Sequence, residues 1–490
     1  MVPETLILKE IGLLPELFLG ISIIYLLIHG TFLTVGKNYP IIQTSNIYLS
    51  VLIFCLIGFL LINDSLDVLE YSIYNNTISN DYLAFSSKIL IIFFSIFCLL
   101  IIKHYLVDQR INNFEYILML LFAILGIMIL CSANDLITVY LAIELQSLAF
   151  YVMAAFKKNS TFSVEAGLKY FILGAFSSGF FLFGSSIIYG LTGSVCFEDF
   201  KDLFFWVLLQ FALIFIIISL FFKLALAPFH LWSPDVYEGS PSSSSFFFAV
   251  ISKLGIFIIL LRIFYSSFYG LIDNWRYYIV LIAVLSILVG SIGGIEQRKL
   301  KSLLAYSSIS HMGYVLIAFN TGTFEGFQML FSYLIIYMLS GLCIWSIFLL
   351  TRLKNIYKKK QNKDLTDLIL LRKSNSILAF IFAIVLLSIA GFPPMIGFFV
   401  KMSVFLVAIE ASLYFVAFVS ILCSVISTFY YIRIVKILYF EKVIVGRLYY
   451  PITTSNAFII IMPFYLLFYL FINPTILYLF SYKISLLFIL

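Results

Sequence analysis

Charge is scarce in this chain. Only 11% of its 490 residues are Asp, Glu, Lys or Arg, against 63% hydrophobic, which leaves too little polar surface to cover a soluble domain of this size. Cysteine is scarce as well, and Cys55, Cys98, Cys131, Cys196, Cys343 and Cys423 are scattered singly, without CxxC or Cys/His spacing. Neither zinc, nor an iron–sulfur cluster, nor a disulfide is expected. There is no Walker loop, no GxGxxG between a strand and a helix, and no nucleophile with a base, so no enzymatic chemistry is expected within the chain itself. The opening MVPETLILKEIGLLPELFLG carries acids and almost no Arg or Ser. It resembles neither a transit peptide nor a cleavable signal, and the first apolar segment is expected to be retained.

Long apolar runs are abundant, and each has the length that a hydrocarbon core of about 30 Å asks of a spanning helix. They predict an all-α polytopic membrane protein of about fourteen spans. The spans fall near 11–35, 46–63, 82–106, 115–132, 135–156, 164–192, 203–233, 243–268, 275–294, 302–320, 324–352, 376–408, 411–437 and 455–482.

Loop charge alternates in sign. Lys37, Lys103 with Arg110, Lys157 with Lys158, Arg298 with Lys299 and Lys301, Lys354 through Lys363, and Arg433 with Lys436, Lys442 and Arg447 fall on one side. Asp64, Asp67, Glu70, Asp81, Glu198, Asp199, Asp202, Glu325 and Glu410 fall on the other. The positive-inside rule puts the basic loops in the cytoplasm or matrix and both chain ends on the opposite side. The loop near Pro234 is the exception, expected on the basic side but carrying Asp235 and Glu238.

Two spans are interrupted, the seventh by Pro228 and the twelfth by Gly391, Pro393, Pro394 and Gly397. Broken helices in corresponding places point to an inverted-repeat transporter with its site near the midplane. Taking spans four to eight and nine to thirteen as two inverted five-helix repeats puts each break in the same fourth place. The chain then divides into an N-terminal three-helix segment (1–110), a first repeat (111–270), a second repeat (271–440) and a final helix (441–490). Lys223 and Lys401 correspond, and the span of Glu144 corresponds to that of His311.

Glu144, Lys223, Lys253 and Lys401 lie deep in apolar runs. A charge at a helix centre costs about 2.5–3.5 kcal/mol on insertion scales, so such residues persist mainly where they carry ions or protons. Lys253 and Glu144 lie about ten residues into their spans, too deep to snorkel at 1.5 Å per residue. Low dielectric disfavours the charged amine and a nearby carboxylate restores it. Glu144 beside Lys223 would hold that Lys protonated, and separating them would release the proton toward Lys253, His311 and Lys401 through ordered water. The broken backbone at Pro228, Pro393 and Pro394 supplies free carbonyls. His230 is a further candidate, although a neutral His often only satisfies a neighbour. Lys88, Lys103 and Lys169 are read as snorkelling, and Glu165 with Lys169 as a helix-end pair. Sodium is disfavoured because it needs clustered oxygen ligands and the axis is mainly Lys.

The strings YLAIELQSLAFYVMAAFKK (140–158), EAGLKYFILGAFSSGFFLFGSSIIYG (165–190), FKLALAPFHLWSPDVYEGSP (222–241), KLKSLLAYSSISHMGY (299–314) and AGFPPMIGFFVKM (390–402) resemble the chain 2 family of NADH:ubiquinone oxidoreductase, respiratory complex I. They are especially similar to its plant and protist mitochondrial forms. The resemblance implies an antiporter-like membrane-arm subunit of fourteen helices that moves protons while other subunits oxidise NADH and reduce ubiquinone. It implies FMN and iron–sulfur clusters elsewhere in the complex and none on this chain, neighbouring antiporter-like chains and lipid as partners, and a mitochondrial inner membrane or, alternatively, a bacterial plasma membrane. The family's fifth-span Glu, seventh-, eighth- and twelfth-span Lys and its His after LAYSSI match Glu144, Lys223, Lys253, Lys401 and His311. The sister chain 4 usually has Glu where Lys401 stands. The family usually continues YEGSP with TPV, whereas Ser242 to Ser245 follow here, so the start of span eight is expected to pack differently. The basic stretch from Lys354 to Lys373 is read as a solvated loop, with anionic lipid or a neighbouring subunit as alternative partners. A stand-alone cation/proton antiporter subunit is the rival function, and a purely structural membrane-arm subunit a more distant one.

Overall fold

The computed structural model describes residues 12–34, 39–63, 72–74, 76–109, 111, 113–201, 207–353, 360–361, 364–441, 449 and 451–489. Lys37, Asp64, Asp67, Glu70, Arg110, Asp202, Lys354, Lys358, Lys359, Lys363, Lys442 and Arg447, counted above as loop charges, lie outside the described residues.

In hydrocarbon, only helices and closed barrels satisfy every backbone N–H and C=O internally. Among the described residues, thirteen helices are long and apolar enough to cross a membrane, and the protein is a multi-pass helical membrane protein. The helices are α1 (Leu14–Thr34), α2 (Tyr39–Asn63), α3 (Tyr82–Asp108), α4 (Glu115–Ser132), α5 (Leu136–Ala154), α6 (Thr161–Thr192), α7 (Val207–Leu224), α8 (Trp232–Gly239), α9 (Ser242–Val250), α10 (Ser252–Leu261), α11 (Ile272–Ile295), α12 (Leu300–Asn320), α13 (Phe324–Leu350), α14 (Ser376–Ala390), α15 (Ile396–Glu410), α16 (Tyr414–Tyr439), α17 (Thr454–Ile472) and α18 (Pro474–Ile489). Strand pairing among the described residues consists of hairpins of two residues a side, Ser72–Ile73 with Ile78–Ser79 and Arg352–Leu353 with Lys360–Gln361, and of single bridges Ile78–Ala133, Asp135–Cys196 and Lys299–Asp364.

The expected interruptions are present. The seventh span stops at Leu224, where Ala225 turns to φ +59° and a cis Ala227–Pro228 bond follows. The twelfth stops at Ala390 and resumes at Ile396, after Gly391 at φ +88° and a cis Pro393–Pro394 bond. Gly391 ends α14 because a residue without Cβ enters the left-handed region at no steric cost.

Other expectations are corrected. Pro234 sits in the first turn of α8, not in a loop; a first-turn nitrogen has no intrahelical partner, so its missing N–H costs nothing. The eighth span is divided at Ile251 and closes in a π-helical turn, Arg262–Ser267. The fourteenth, expected as one helix over 455–482, breaks at Asn473, where Pro474 cannot donate to the ladder of α17 and instead opens α18. Arg433 and Lys436 belong to α16 rather than to a loop, and Arg433 donates to the Ile295 and Gln297 carbonyls at 2.6 Å, closing the end of α11.

The helices pack into two units, one of residues 1–224, 239–276 and 486–490, the other of 225–238 and 277–485. In the first unit, α4 is the hub, packed against α1, α3, α5 and α10. Gly126 lets α4 and α5 touch closely: a Cβ there would lie 2.9 Å from the Gln146 backbone nitrogen. The four serines after YEGSP are all buried at the start of α9, where Ser243 meets the Tyr116 hydroxyl at 2.7 Å. In the second unit, α13 is the hub, packed against α12, α14, α15 and α17.

Candidate functional site

In the first unit, Glu144, Ser147 and Tyr151 follow one another on α5 at spacings of three and four residues, which puts them on one helix face. Ser147 Oγ lies 3.4 Å from Glu144 Oε2, and Glu144 Oε1 is buried without a hydrogen-bond partner among the described residues. Lys223, next to last in α7, donates from Nζ to the Tyr151 hydroxyl at 3.2 Å and stands 5.6 Å from the centre of that ring. Glu144 and Lys223 make no direct ion pair among the described residues. Lys223 therefore meets a phenol on the Glu144 face of α5 in place of the carboxylate itself. Lys223 also lines a small cavity with Tyr140, Ser177, Ser178 and Ser219.

The reach of Tyr151 depends on a glycine in α6. A Cβ on Gly174 would lie 2.6 Å from Tyr151 Cζ, so any side chain there displaces the ring. Tyr170 meets the same ring edge-on at 4.8 Å.

Lys253 sits in the first turn of α10, 4% exposed, on a helix that packs against α3, α4 and α7.

In the second unit, His311 of α12 is buried between two phenols, with Nδ1 2.7 Å from the Tyr333 hydroxyl and Nε2 3.1 Å from that of Tyr431. Lys401 of α15 donates to the Ala390 carbonyl at 2.9 Å. That carbonyl ends α14, where the helix dipole favours a cation. The ammonium is 5.4 Å from the centre of the Tyr314 ring. His311 and Lys401 line one cavity with Tyr333, Tyr337, Ser340 and Ser388. Lys223 and Lys401 are matched by span and differ in register, since Lys223 precedes its break and Lys401 follows its own.

Pro228 lies in the turn between α7 and α8, and Pro393 with Pro394 between α14 and α15. His230 gives its carbonyl to Ser233 at the start of α8 and its ring is partly exposed.

Among the snorkelling assignments, Lys169 pairs with Glu165 on an exposed face at 2.8 Å and Lys103 meets Tyr48. Lys88 is corrected: it is 1% exposed and paired with Glu16 at 2.5 Å. The helix run alone cannot reveal this, because the partner comes from α1. Outside the spans, the Glu410 carboxyl at the end of α15 is held above its ordinary value, first by a hydrogen bond with Glu325 and then by that neighbour's charge. The residues that sequence reading missed are the bridging phenols. Tyr151 could have been found from its spacing to Glu144, but Tyr333 and Tyr431 meet His311 only through tertiary packing.

Comparison with known proteins gives a consistent result. The family described as "NADH:quinone oxidoreductase/Mrp antiporter, TM" matches residues 133–427. The chain is 40% identical to the NADH-quinone oxidoreductase subunit N of Pelagibacter ubique, over 88% of this chain and 89% of that one. It is 38% identical to the NADH-ubiquinone oxidoreductase chain 2 of Marchantia polymorpha, over 97% and 98%. A chain of respiratory complex I from Thermus thermophilus with bound aureothin superposes with a TM-score of 0.77 at 26% identity, over 95% of this chain and 98% of that one. The Mrp complex of Dietzia shares the fold alone, with a TM-score of 0.76 at 17% identity over 99% and 97%.

Proposed function

The chain belongs to the NADH:quinone oxidoreductase/Mrp antiporter transmembrane family, in its subunit N/chain 2 branch, and from that premise we propose that it is a proton-translocating membrane-arm subunit of respiratory complex I. Glu144, Lys223, Lys253, His311 and Lys401 carry the protons. Redox chemistry on FMN, iron–sulfur clusters and ubiquinone belongs to other subunits of the complex.

The observation that carries this reading is the Glu144–Ser147–Tyr151–Lys223 series, ending at a broken helix. The Lys223 ammonium gives a proton to a neighbour when the balance of charge around it shifts, and the Tyr151 hydroxyl can accept from one side while donating on the other. His311 is placed in the same way between Tyr333 and Tyr431, and Lys401 faces the same cavity. A row of amines repels Na⁺, which favours protons as the cargo.

The basic stretches at Lys157 and Lys158, and at Arg298, Lys299 and Lys301, assign the matrix or cytoplasmic face. Both ends then lie on the intermembrane-space or periplasmic side, and the membrane is the mitochondrial inner membrane. The neighbours are other membrane-arm subunits, including antiporter-like chains, and lipid.

The test is Lys223→Ala in the assembled complex, reconstituted in proteoliposomes, with proton uptake measured beside NADH-driven quinone reduction. Loss of both rates in an intact complex supports an obligatory coupled pump. Unchanged uptake and turnover would reduce the buried lysines to structural elements and overturn the reading.

A further inference from the structure

Ser388 lies in the last turn of α14, two residues before the Ala390 carbonyl that receives Lys401. A serine in an apolar helix ordinarily returns its hydroxyl proton to a carbonyl one turn back. Ser307, Ser308, Ser310 and Ser340 do so at 2.9, 2.7, 2.8 and 3.0 Å. Ser388 does not. It is 4% exposed, and its Oγ is the one buried serine hydroxyl of the second unit without a hydrogen-bond partner among the described residues. An unpaired hydroxyl is costly in low dielectric, so this atom calls for a partner in the cavity that Ser388 lines.

Glycine sets what faces that cavity. A Cβ on Gly397 would overlap the Ser388 carbonyl and lie 3.3 Å from Ser388 Oγ, so α15 crosses directly over the serine. Gly397 and Lys401 are four residues apart, on one face of α15. Both line the same cavity as Ser388, His311 and Tyr333. The space there that the centre of a water molecule can occupy is about 20 Å³. One water needs about 10–15 Å³ by that measure and makes about three hydrogen bonds, so the cavity has room for a single molecule with three polar neighbours.

Those neighbours are at hand. Lys401 gives one N–H to Ala390, and an amine has further hydrogen-bonding capacity. The Tyr333 hydroxyl, 2.7 Å from His311 Nδ1, accepts as well as donates. Ser388 supplies the third group.

We propose that Ser388 is a positioning residue for proton transfer between His311 and Lys401, holding one water between the Tyr333 hydroxyl and the Lys401 amine; this rests on the pumping role proposed above. When His311 is charged, its Nδ1–H bond breaks as an O–H bond forms on Tyr333. The phenol passes its own proton to the water, and the water passes one to the neutral amine of Lys401. Imidazolium and amine become imidazole and ammonium, while phenol and water recover their composition. Ser388 exchanges no proton; it fixes the water where both transfers are short.

Ser388→Ala and Ser388→Cys test this in the assembled complex in proteoliposomes, beside Lys223→Ala, each normalised to intact complex. Alanine removes the hydroxyl, whereas cysteine fills the space with a group that hydrogen-bonds weakly. The expected result is a several-fold fall in proton uptake and coupled quinone reduction in both serine variants. The solvent deuterium isotope effect on turnover should rise in both, because transfer across the cavity becomes limiting. If the larger sulfur prevents assembly, Ser388→Ala with its isotope effect supplies the readout. Wild-type uptake in Ser388→Cys beside a fall in Ser388→Ala would make Ser388 a space-filler, and a fall without a raised isotope effect would make it structural; either overturns the positioning role. Normal uptake in both serine variants, with Lys223→Ala impaired, overturns the water site and leaves the buried axis standing. Normal uptake in Lys223→Ala as well overturns the pumping role itself.

Discussion

Lys223 directs its ammonium at the Tyr151 hydroxyl, 3.2 Å away. The carboxylate that sequence reading pairs with it, Glu144, stands two turns along the same face of α5, beyond Ser147. A phenol in that place changes the physics, because a hydroxyl passes a proton by rotating and exchanging hydrogen bonds, whereas a direct ion pair would trap it. The cost of burying the amine is shared between this hydroxyl and the face of the ring.

Tyr151→Phe tests that bridge. Phenylalanine keeps the ring beside Lys223 and removes only the hydroxyl. The complex is expected to assemble normally and to lose several-fold in NADH-driven proton uptake, a smaller loss than for Lys223→Ala. Wild-type uptake would mean that protons bypass the phenol.

The architecture was legible in the sequence and the bridges were not. Span count and breaks follow from apolar length and from Gly and Pro chemistry, which are local. Tyr151 is reachable from helical spacing once Glu144 is chosen. Tyr333 and Tyr431, by contrast, come to His311 from α13 and α16, and only packing joins them. Lys88 shows the same limit: near the start of its helix it reads as a snorkelling lysine, and only the acid of α1 shows that it stays buried. The break at Asn473 was within reach, since Pro474 marks it, but the apolar run on either side masked it.

Gly174→Ala acts on Tyr151 from outside. The new Cβ would lie 2.6 Å from Cζ, and overpacking of this kind costs about 1–3 kcal/mol. Thermal inactivation of the purified complex should come at lower temperature, and proton uptake per intact complex should fall with the displaced hydroxyl. Unchanged uptake would show that Tyr151 keeps its contact by moving with Lys223.

Around His311, Tyr333→Phe and Tyr431→Phe each leave one ring nitrogen without its hydroxyl. If both phenols serve one relay, the single variants and the double variant should show similar uptake, because one break stops the path. Multiplying effects in the double variant would instead indicate two independent contributions.

Glu410, past the end of its span, stands beside Glu325. The folded protein holds Glu410 above its ordinary value of 4.5. The stability that comes with the protonated Glu410 carboxyl is therefore complete below pH 4.5 and is lost as pH rises through the raised value. Glu410→Gln should inactivate at slightly higher temperature than wild type at pH 7, with the difference shrinking as pH falls toward 4.5. The pair is exposed, so the effect is small; a constant difference across that range would show that the carboxylates do not repel one another.

Gly391 is the tightest link between the break in the twelfth span and its lysine. At φ +88° an added Cβ is strained, and it would also lie 3.0 Å from Lys401 Cδ, pressing the amine away from the Ala390 carbonyl. Gly193 provides the control, since it ends α6 at φ +72° with nothing within 4 Å of its added Cβ. Both alanine variants should lose about 1–2 kcal/mol to backbone strain. Gly391→Ala alone should also lower proton uptake per intact complex. Equal uptake in the two variants would mean that the position of the Lys401 amine at the end of α14 does not control transfer.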